Sequence, residues 1–273
     1  MTGTADVVVI GGGVMGLWIA WHLRAQGAGR VVLLEKRFVG AGSSDNSGAI
    51  LRQHYSHPAT VAMARQSLDW YRSVRERTGR EIGFRAVGMV LICRAQDRPA
   101  LDGNVALQQR LGVRTDIVDA AGLRALEPEA VFEEDALAAW EPEAGFVDPG
   151  RTLQALAALA REQGAEVRQG TAVSGFLRAG DRVTGVETSG DGRIEAAVVI
   201  NAGGPWAGGL CRRLGLQVPL SVIRPQQAYF VPPHRGERHV CGDLLTGLYW
   251  RPEPAGWTRV GRVAYEGDET VTD

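Results

Sequence analysis

Lysine is almost absent from this 273-residue chain: of 30 Lys and Arg residues, all but Lys36 are arginine. There is no basic run either, and the formal net charge is −1, which excludes an extended nucleic-acid-binding surface. Cysteine is scarce. Cys93, Cys211 and Cys241 are far apart, odd in number and outside any CxxC spacing, which excludes a disulfide framework and gives no metal site. The expectation is reduced core thiols in a cytoplasmic protein. The N-terminus has no basic region ahead of an unbroken apolar run, since three glycines interrupt its apolar stretch, so neither a signal peptide nor a membrane span is expected. Internal repeats and low-complexity tracts are also missing.

Glycine, with 36 residues, is plentiful and ordered in one place. The apolar run Val7–Ile10 leads into Gly11-Gly12-Gly13-Val14-Met15-Gly16, and a segment of helical period follows. In this strand, turn and helix, Gly11 lets the chain turn, Gly13 lets the backbone approach a pyrophosphate, and Gly16 lets the helix pack on the strand. The start of the helix would meet the phosphates with free N–H groups and the positive end of its dipole. A second apolar run, Val31 to Leu34, ends in Glu35, an acidic residue placed to accept hydrogen bonds from both ribose hydroxyls of an adenosine. The whole stretch predicts a dinucleotide site. By itself it does not choose between nicotinamide and flavin.

The residues from Gly40 to Ala49 are small and polar and predict a loop that could wrap a diphosphate or a ring edge. Pro58 to Thr78 predicts an amphipathic helix with Val61, Leu68, Tyr71 and Val74 on its buried stripe. From Phe84 shorter β-like runs predict a second domain: Val87 to Cys93, then a helix from Leu101 to Leu111, then Val113 to Val118, with 123–140 irregular. Helical period returns at Pro149, with Asp148 as cap and Leu153, Leu156, Ala157, Leu159 and Ala160 facing inward. Next come a strand at Glu166–Arg168, a hairpin from Val183 to Ala197 turning at 190–192, and a non-alternating run, Ala197 to Asn201, predicted as a buried parallel strand. That strand runs into Ala202-Gly203-Gly204-Pro205-Trp206, whose small residues leave room for a ligand. From Pro219 the pattern is β-like again, at 220–223, 227–231, 248–251 and 257–263. The expected fold is α/β: a Rossmann-like domain from residues 1–80 and 148–215, interleaved with an α+β domain on a mostly antiparallel sheet from 81–147 and 216–273.

The ordered set GGGVMG, LLEK, GSSDNSGAILRQHYS, GFVDPGRTLQALAALAREQGAEVRQGTAV and VVINAGGPWA resembles the FAD-dependent amino-acid and amine oxidoreductases of the D-amino acid oxidase superfamily, in particular the sarcosine oxidase and glycine oxidase branch. The resemblance spans essentially the whole chain. It implies noncovalent FAD, with the diphosphate on Gly11, Gly13, Gly16 and the amides of Val14 and Met15, and with the ribose on Glu35 beside Lys36. Ser43, Ser44, Ser47 and Gly48 resemble a second flavin-contacting loop, Val173 the position that reads the adenine edge, and Ala202, Gly203 and Trp206 the turn beside the cofactor.

The resemblance also implies that Arg52 holds a substrate carboxylate, chemistry that suits a planar, permanently charged guanidinium. His54, two residues on, could orient or deprotonate an amine. Tyr229, Tyr249 and Arg224 are weaker candidates. Arg259 stands where sarcosine oxidases carry a lysine that promotes reaction with O₂, so a dehydrogenase with another acceptor is as consistent as an oxidase. The family's remaining flavin contacts would lie past Asp273, so the expectation is a continuation of the chain, a partner subunit that completes the site, or an incomplete flavin end. The expected function is oxidation of the C–N bond of a small amino acid or N-methyl amino acid by hydride transfer to flavin. The alternatives are a noncatalytic or truncated FAD-binding subunit and an NAD-linked dehydrogenase.

Overall fold

A computed structural model of the chain describes residues 2–190, 192–232 and 238–262. Its first half contains β1 (Thr2–Ile10), α1 (Val14–Ala25), β2 (Val31–Leu34), β3 (Ile50–Leu51), α2 (Pro58–Thr78), β4 (Met89–Cys93), α3 (Arg98–Arg110), β5 (Asp116–Asp119), α4 (Ala120–Leu126), β6 (Leu137–Glu141) and β7 (Gly145–Phe146). The second half contains α5 (Pro149–Glu162), β8 (Glu166–Arg168), β9 (Val173–Ala179), β10 (Arg182–Thr188), β11 (Gly192–Asn201), α6 (Ala207–Arg212), β12 (Gln227–Phe230), β13 (Val240–Asp243), β14 (Leu248–Pro252) and β15 (Thr258–Arg262). Two compact units result. Described residues up to Ser47 and from Pro149 to Val222 form the first, and those from Gly48 to Asp148 and from Ile223 onward form the second.

The first unit is built on a six-stranded sheet in the order β8-β2-β1-β11-β10-β9. β8, β2, β1 and β11 run parallel, while β10 and β9 are antiparallel additions at one edge. Every residue from Val7 to Ile10 and from Val31 to Leu34 is buried, because a central parallel strand is covered on both faces. Val8, Ile10, Val32 and Leu34 meet Val186, Ile194 and Ala196 on one side. α1 packs against α5 and β2, contributing the fully buried Leu17 and Ala20. Burying a leucine such as Leu17 or Leu33 stabilises the unit by about 2 kcal/mol.

The sequence read the second arm of the hairpin and the run after it as two strands; they are one, β11. Its far half is less covered than a buried strand requires, with Val198 49% exposed. β9 was not foreseen.

In the second unit a seven-stranded sheet has the order β12-β15-β14-β13-β4-β6-β5, antiparallel except where β13 meets β4. α2 spans the predicted residues. Pro58 starts it, the His57 side chain accepts the Ala59 N–H, and Gly79 ends it in the left-handed region at φ 69°. Residues 48–80 belong to this unit rather than to the dinucleotide domain expected for them: β3 pairs with β7, α2 packs against α3, and the α2 stripe is buried here. Conversely, 216–222 stays with the first unit, and the strand expected at 220–223 is not formed. The stretch expected to be irregular holds α4 and β6, and β13 was unforeseen. No helix among the described residues is long and apolar enough to cross a membrane, and no cluster of three metal-ligating side chains is found among them.

Candidate functional site

The first unit contains a cavity of about 690 Å³ at the end of β1. Gly11 leaves the strand with φ 108°, and a Cβ there would come within 2.5 Å of the Ala202 carbonyl oxygen. Only glycine makes this turn without strain. Gly16 has a different task, since a Cβ on it would lie 1.9 Å from the Gly11 oxygen. It lets α1 sit directly under the turn and does not line the cavity. The middle glycine, which the GxGxxG pattern ignores, is constrained less tightly: a Cβ on Gly12 would meet the Glu35 side chain at 2.9 Å.

α1 begins at Gly13 without any side-chain cap from that residue, and the Val14 N–H instead donates to Ser44 Oγ at 3.0 Å. A serine hydroxyl that accepts at its oxygen still has a proton to donate. Ser47 donates to the Ser44 carbonyl and shapes this loop without lining the cavity. Glu35 is buried. Its Oε2 accepts the Gly12 N–H at 2.7 Å and its Oε1 accepts the Arg37 N–H at 2.8 Å, so the carboxylate braces the glycine turn. Each oxygen keeps acceptor capacity for a further donor. Lys36 holds its ammonium 3.4 Å above the centre of the Trp206 ring.

Gly11, Gly13, Val14, Met15, Glu35, Lys36, Ser43, Ser44, Val173, Ala202, Gly203 and Trp206 all line the cavity, whereas Gly16, Ser47 and Gly48 do not. Gly48 lies in the second unit, against Tyr249. The sequence reading missed Arg37, Thr171, Arg212 and Arg213 on the same wall. No local pattern marks them among so many arginines. The residues fit a dinucleotide: helix N–H groups, a hydroxyl and basic side chains suit a diphosphate, and a buried carboxylate suits ribose hydroxyls.

The remaining candidates lie in the second unit. Arg52 donates to the His54 carbonyl and stacks its guanidinium 4.3 Å from the centre of the Tyr55 ring. The His54 side chain is buried, with Nδ1 3.1 Å from Gln108 Nε2. Burial first, then the Arg52 charge, lowers its pKa to about 4. Glu141, on β6, is buried and accepts the Gln53 N–H at 2.8 Å; burial raises its carboxyl above the usual range.

Arg259 is buried and donates to Glu253 at 2.6 Å and to Gln227 at 3.3 Å. The same Glu253 oxygen accepts from Arg251 at 2.9 Å, and the Arg251 guanidinium stacks on Phe146 at 4.2 Å. Two buried cations thus share one carboxylate. Tyr249 accepts from Gln227 at 2.8 Å and Tyr229 lies beside Arg259, which joins both tyrosines to this cluster; Arg224 is exposed. Glu253 and Arg251 were missed, although two-residue alternation places Arg251 on the same face as Tyr249.

Burial raises the Cys93 and Cys241 thiols, as core cysteines require.

Comparison with known proteins agrees with this geometry. The chain is 33% identical over 270 residues to 4-methylaminobutanoate oxidase (formaldehyde-forming) of Paenarthrobacter nicotinovorans, covering 92% of this chain and 32% of that protein. It is 31% identical over 221 residues to the mitochondrial pyruvate dehydrogenase phosphatase regulatory subunit of Mus musculus, covering 79% and 25%. The chain therefore spans about a third or less of the length of these curated relatives. Among solved structures, L-proline dehydrogenase from P. horikoshii superposes with a TM-score of 0.89 at 27% identity, covering 97% of this chain and 71% of that one. Residues 6–273 match the DAO family, described as FAD dependent oxidoreductase. The match covers nearly the whole chain, and the chain belongs to the DAO family of FAD dependent oxidoreductases, whose cofactor is FAD.

Proposed function

We propose that the protein oxidises the C–N bond of a small carboxylate-bearing amine, such as an amino acid or N-methyl amino acid, using noncovalent FAD. The observation that carries this reading is the cavity of the first unit, where the Gly11 turn, the start of α1, Ser44 and Glu35 converge on one space in a chain of this family. The Met15 N–H, the Ser44 hydroxyl that the Val14 N–H orients and the basic wall would hold the diphosphate. Glu35 would hold the ribose, while Val173, Ala202, Gly203 and Trp206 line the space around the adenosine. FAD, when bound, supplies the acceptor for the hydride that leaves the substrate carbon.

The second unit's residues orient the substrate. Arg52 is pre-set by the His54 carbonyl and the Tyr55 ring to present its guanidinium to a carboxylate, which limits the side-chain entropy lost on binding. Arg259, beside Arg251 on the Glu253 carboxylate, adds a second guanidinium to this unit. The substrate amine must be neutral when hydride leaves; its nitrogen lone pair then forms the C=N bond of an iminium ion, which water hydrolyses to a carbonyl compound and an amine. The substrates named for two relatives, 4-methylaminobutanoate and L-proline, are both secondary amines with a carboxylate, which supports this class.

The test is anaerobic: the FAD-loaded protein is mixed with sarcosine, L-proline, glycine, D-alanine or 4-methylaminobutanoate. Bleaching by one of them is expected, and peroxide in air then separates an oxidase from a dehydrogenase. A protein that refuses FAD overturns the reading. The resemblance to a phosphatase regulatory subunit favours a second reading, a noncatalytic FAD-binding subunit that acts with a partner. Bound FAD that none of the amines bleaches would select it.

A further inference from the structure

The His54 side chain has a geometry that fixes where its proton lies. One amide atom of Gln108 approaches two groups at once, His54 Nδ1 at 3.1 Å and the Tyr55 carbonyl oxygen at 3.3 Å. A carbonyl oxygen only accepts, so the amide atom that faces it is the NH₂ and not the oxygen. The NH₂ only donates, so Nδ1 must offer its lone pair, and the ring proton of a neutral imidazole must then be on Nε2. Gln108 is wholly buried, on the last turn of α3, and its Oε1 has no partner among the described residues. Rotating the amide by half a turn would set oxygen against the Tyr55 oxygen, so the orientation stands although it leaves that acceptor unmade.

We propose that Gln108 is a positioning residue that locks His54 as the neutral Nε2–H tautomer, making His54 a hydrogen-bond donor and excluding it as the base that takes the proton of a substrate amine. Among the described residues, two charged groups lie at His54, and each opposes its protonation or is already engaged. The Arg52 guanidinium donates to its carbonyl and opposes a second positive charge. The buried Glu141 accepts the backbone N–H groups of Gln53 and His54. Protonating Nδ1 would also break the bond from Gln108. The tautomer stands on this local geometry alone; its bearing on amine oxidation rests on the function proposed above.

The test is a ¹⁵N–¹H long-range spectrum of the full chain labelled at histidine, with His54→Asn identifying the His54 signals. The expected result is a pyridine-type Nδ1 and a pyrrole-type Nε2, unchanged from about pH 8 to about pH 5. A pyrrole-type Nδ1, or titration of both nitrogens near the ordinary histidine pKa, overturns the proposal, and this wild-type measurement decides the tautomer whatever the variants do. Gln108→Glu places an acceptor opposite Nδ1 and should move the proton there or add a second one. Gln108→Met should release the preference. A tautomer unchanged in both folded variants overturns the role of Gln108. In anaerobic bleaching by an active amine, the pH dependence between about 5 and 8 should persist in His54→Gln. Its disappearance would make His54 the base and overturn that part. A failure of all amines to bleach the flavin would count against the proposed function while leaving the spectrum to judge the tautomer.

Discussion

The glycine turn of the first unit and the His54 cluster of the second handle polar chemistry in opposite ways. The turn works through backbone: N–H groups at the start of α1, a left-handed Gly11 and a missing Cβ at Gly16 create the space, and Glu35 braces it through two backbone N–H groups. The cluster works through side chains drawn from distant elements: His54 after β3, Gln108 on α3 and Glu141 on β6. A backbone site depends on spacing along the chain, whereas a side-chain network depends on which elements pack together. The first is therefore sensitive to a single added methyl, and the second to pH and to loss of one partner.

The largest effect should come from adding that methyl. Gly16→Ala puts a Cβ against the Gly11 oxygen, and relief requires moving the turn or α1. The expected outcome is FAD binding weakened by about 100-fold or more, an effect of roughly 3 kcal/mol, with a lowered melting temperature. Fluorescence titration with FAD measures it, and near-wild-type affinity would break the contrast.

Acid should separate the two regions almost as strongly. The folded-state pKa of His54, about 4, lies below the ordinary 6.5, so on acidification the unfolded chain takes up the extra proton first. Stability from neutral His54 is complete above pH 6.5 and is lost as the pH falls toward 4. The full loss is roughly 3 kcal/mol. Glu141 works in the opposite sense, since its raised pKa favours the protonated form, so the measurement is the difference between wild type and His54→Asn. Urea unfolding at about pH 7.5 and about pH 4.5 should show wild type losing roughly 2–3 kcal/mol more than the variant.

A smaller effect is expected for Glu35→Gln. Both carboxylate oxygens accept backbone N–H groups, and an amide must turn its NH₂ toward one of them. Loss of one such bond costs about 1–2 kcal/mol, read as FAD affinity lowered roughly tenfold.

The smallest test uses the scarcity of lysine. Lys36 is the single lysine and lies on the cavity wall beside Trp206, so an amine-reactive reagent marks one side chain besides the N-terminus. FAD should slow its labelling several-fold by peptide mass analysis, and equal rates would argue that the cofactor lies elsewhere.

Much of the fold was legible because its signals are local. Val7 to Ile10, the glycine turn, Val31 to Glu35, α2 with its proline start and glycine end, and α5 with its apolar stripe can all be read from adjacent residues. The unit boundary was not. β3 is two residues long and gains its place by pairing Ile50 with Phe146, a partner invisible from residues 48–80. β6 and β13 were missed because their strand character comes from flanking β4 and not from their own composition. The Arg251–Glu253–Arg259 cluster escaped for the same reason, since only the antiparallel register of β14 and β15 sets Arg251 opposite Arg259.

By itself the sequence determined that the chain turns on glycine between a buried strand and a helix and ends the next strand on an acid, because steric exclusion and backbone hydrogen bonding act over a few residues. The tertiary structure alone decided what that acid and the distant polar residues do. Glu35 became a brace for the glycine turn, and the proposed proton position of His54 comes from Gln108. A side chain's protonation and partners are set by the elements packed around it, and α3 and β6 reach residues 52–54 only once the sheets have formed.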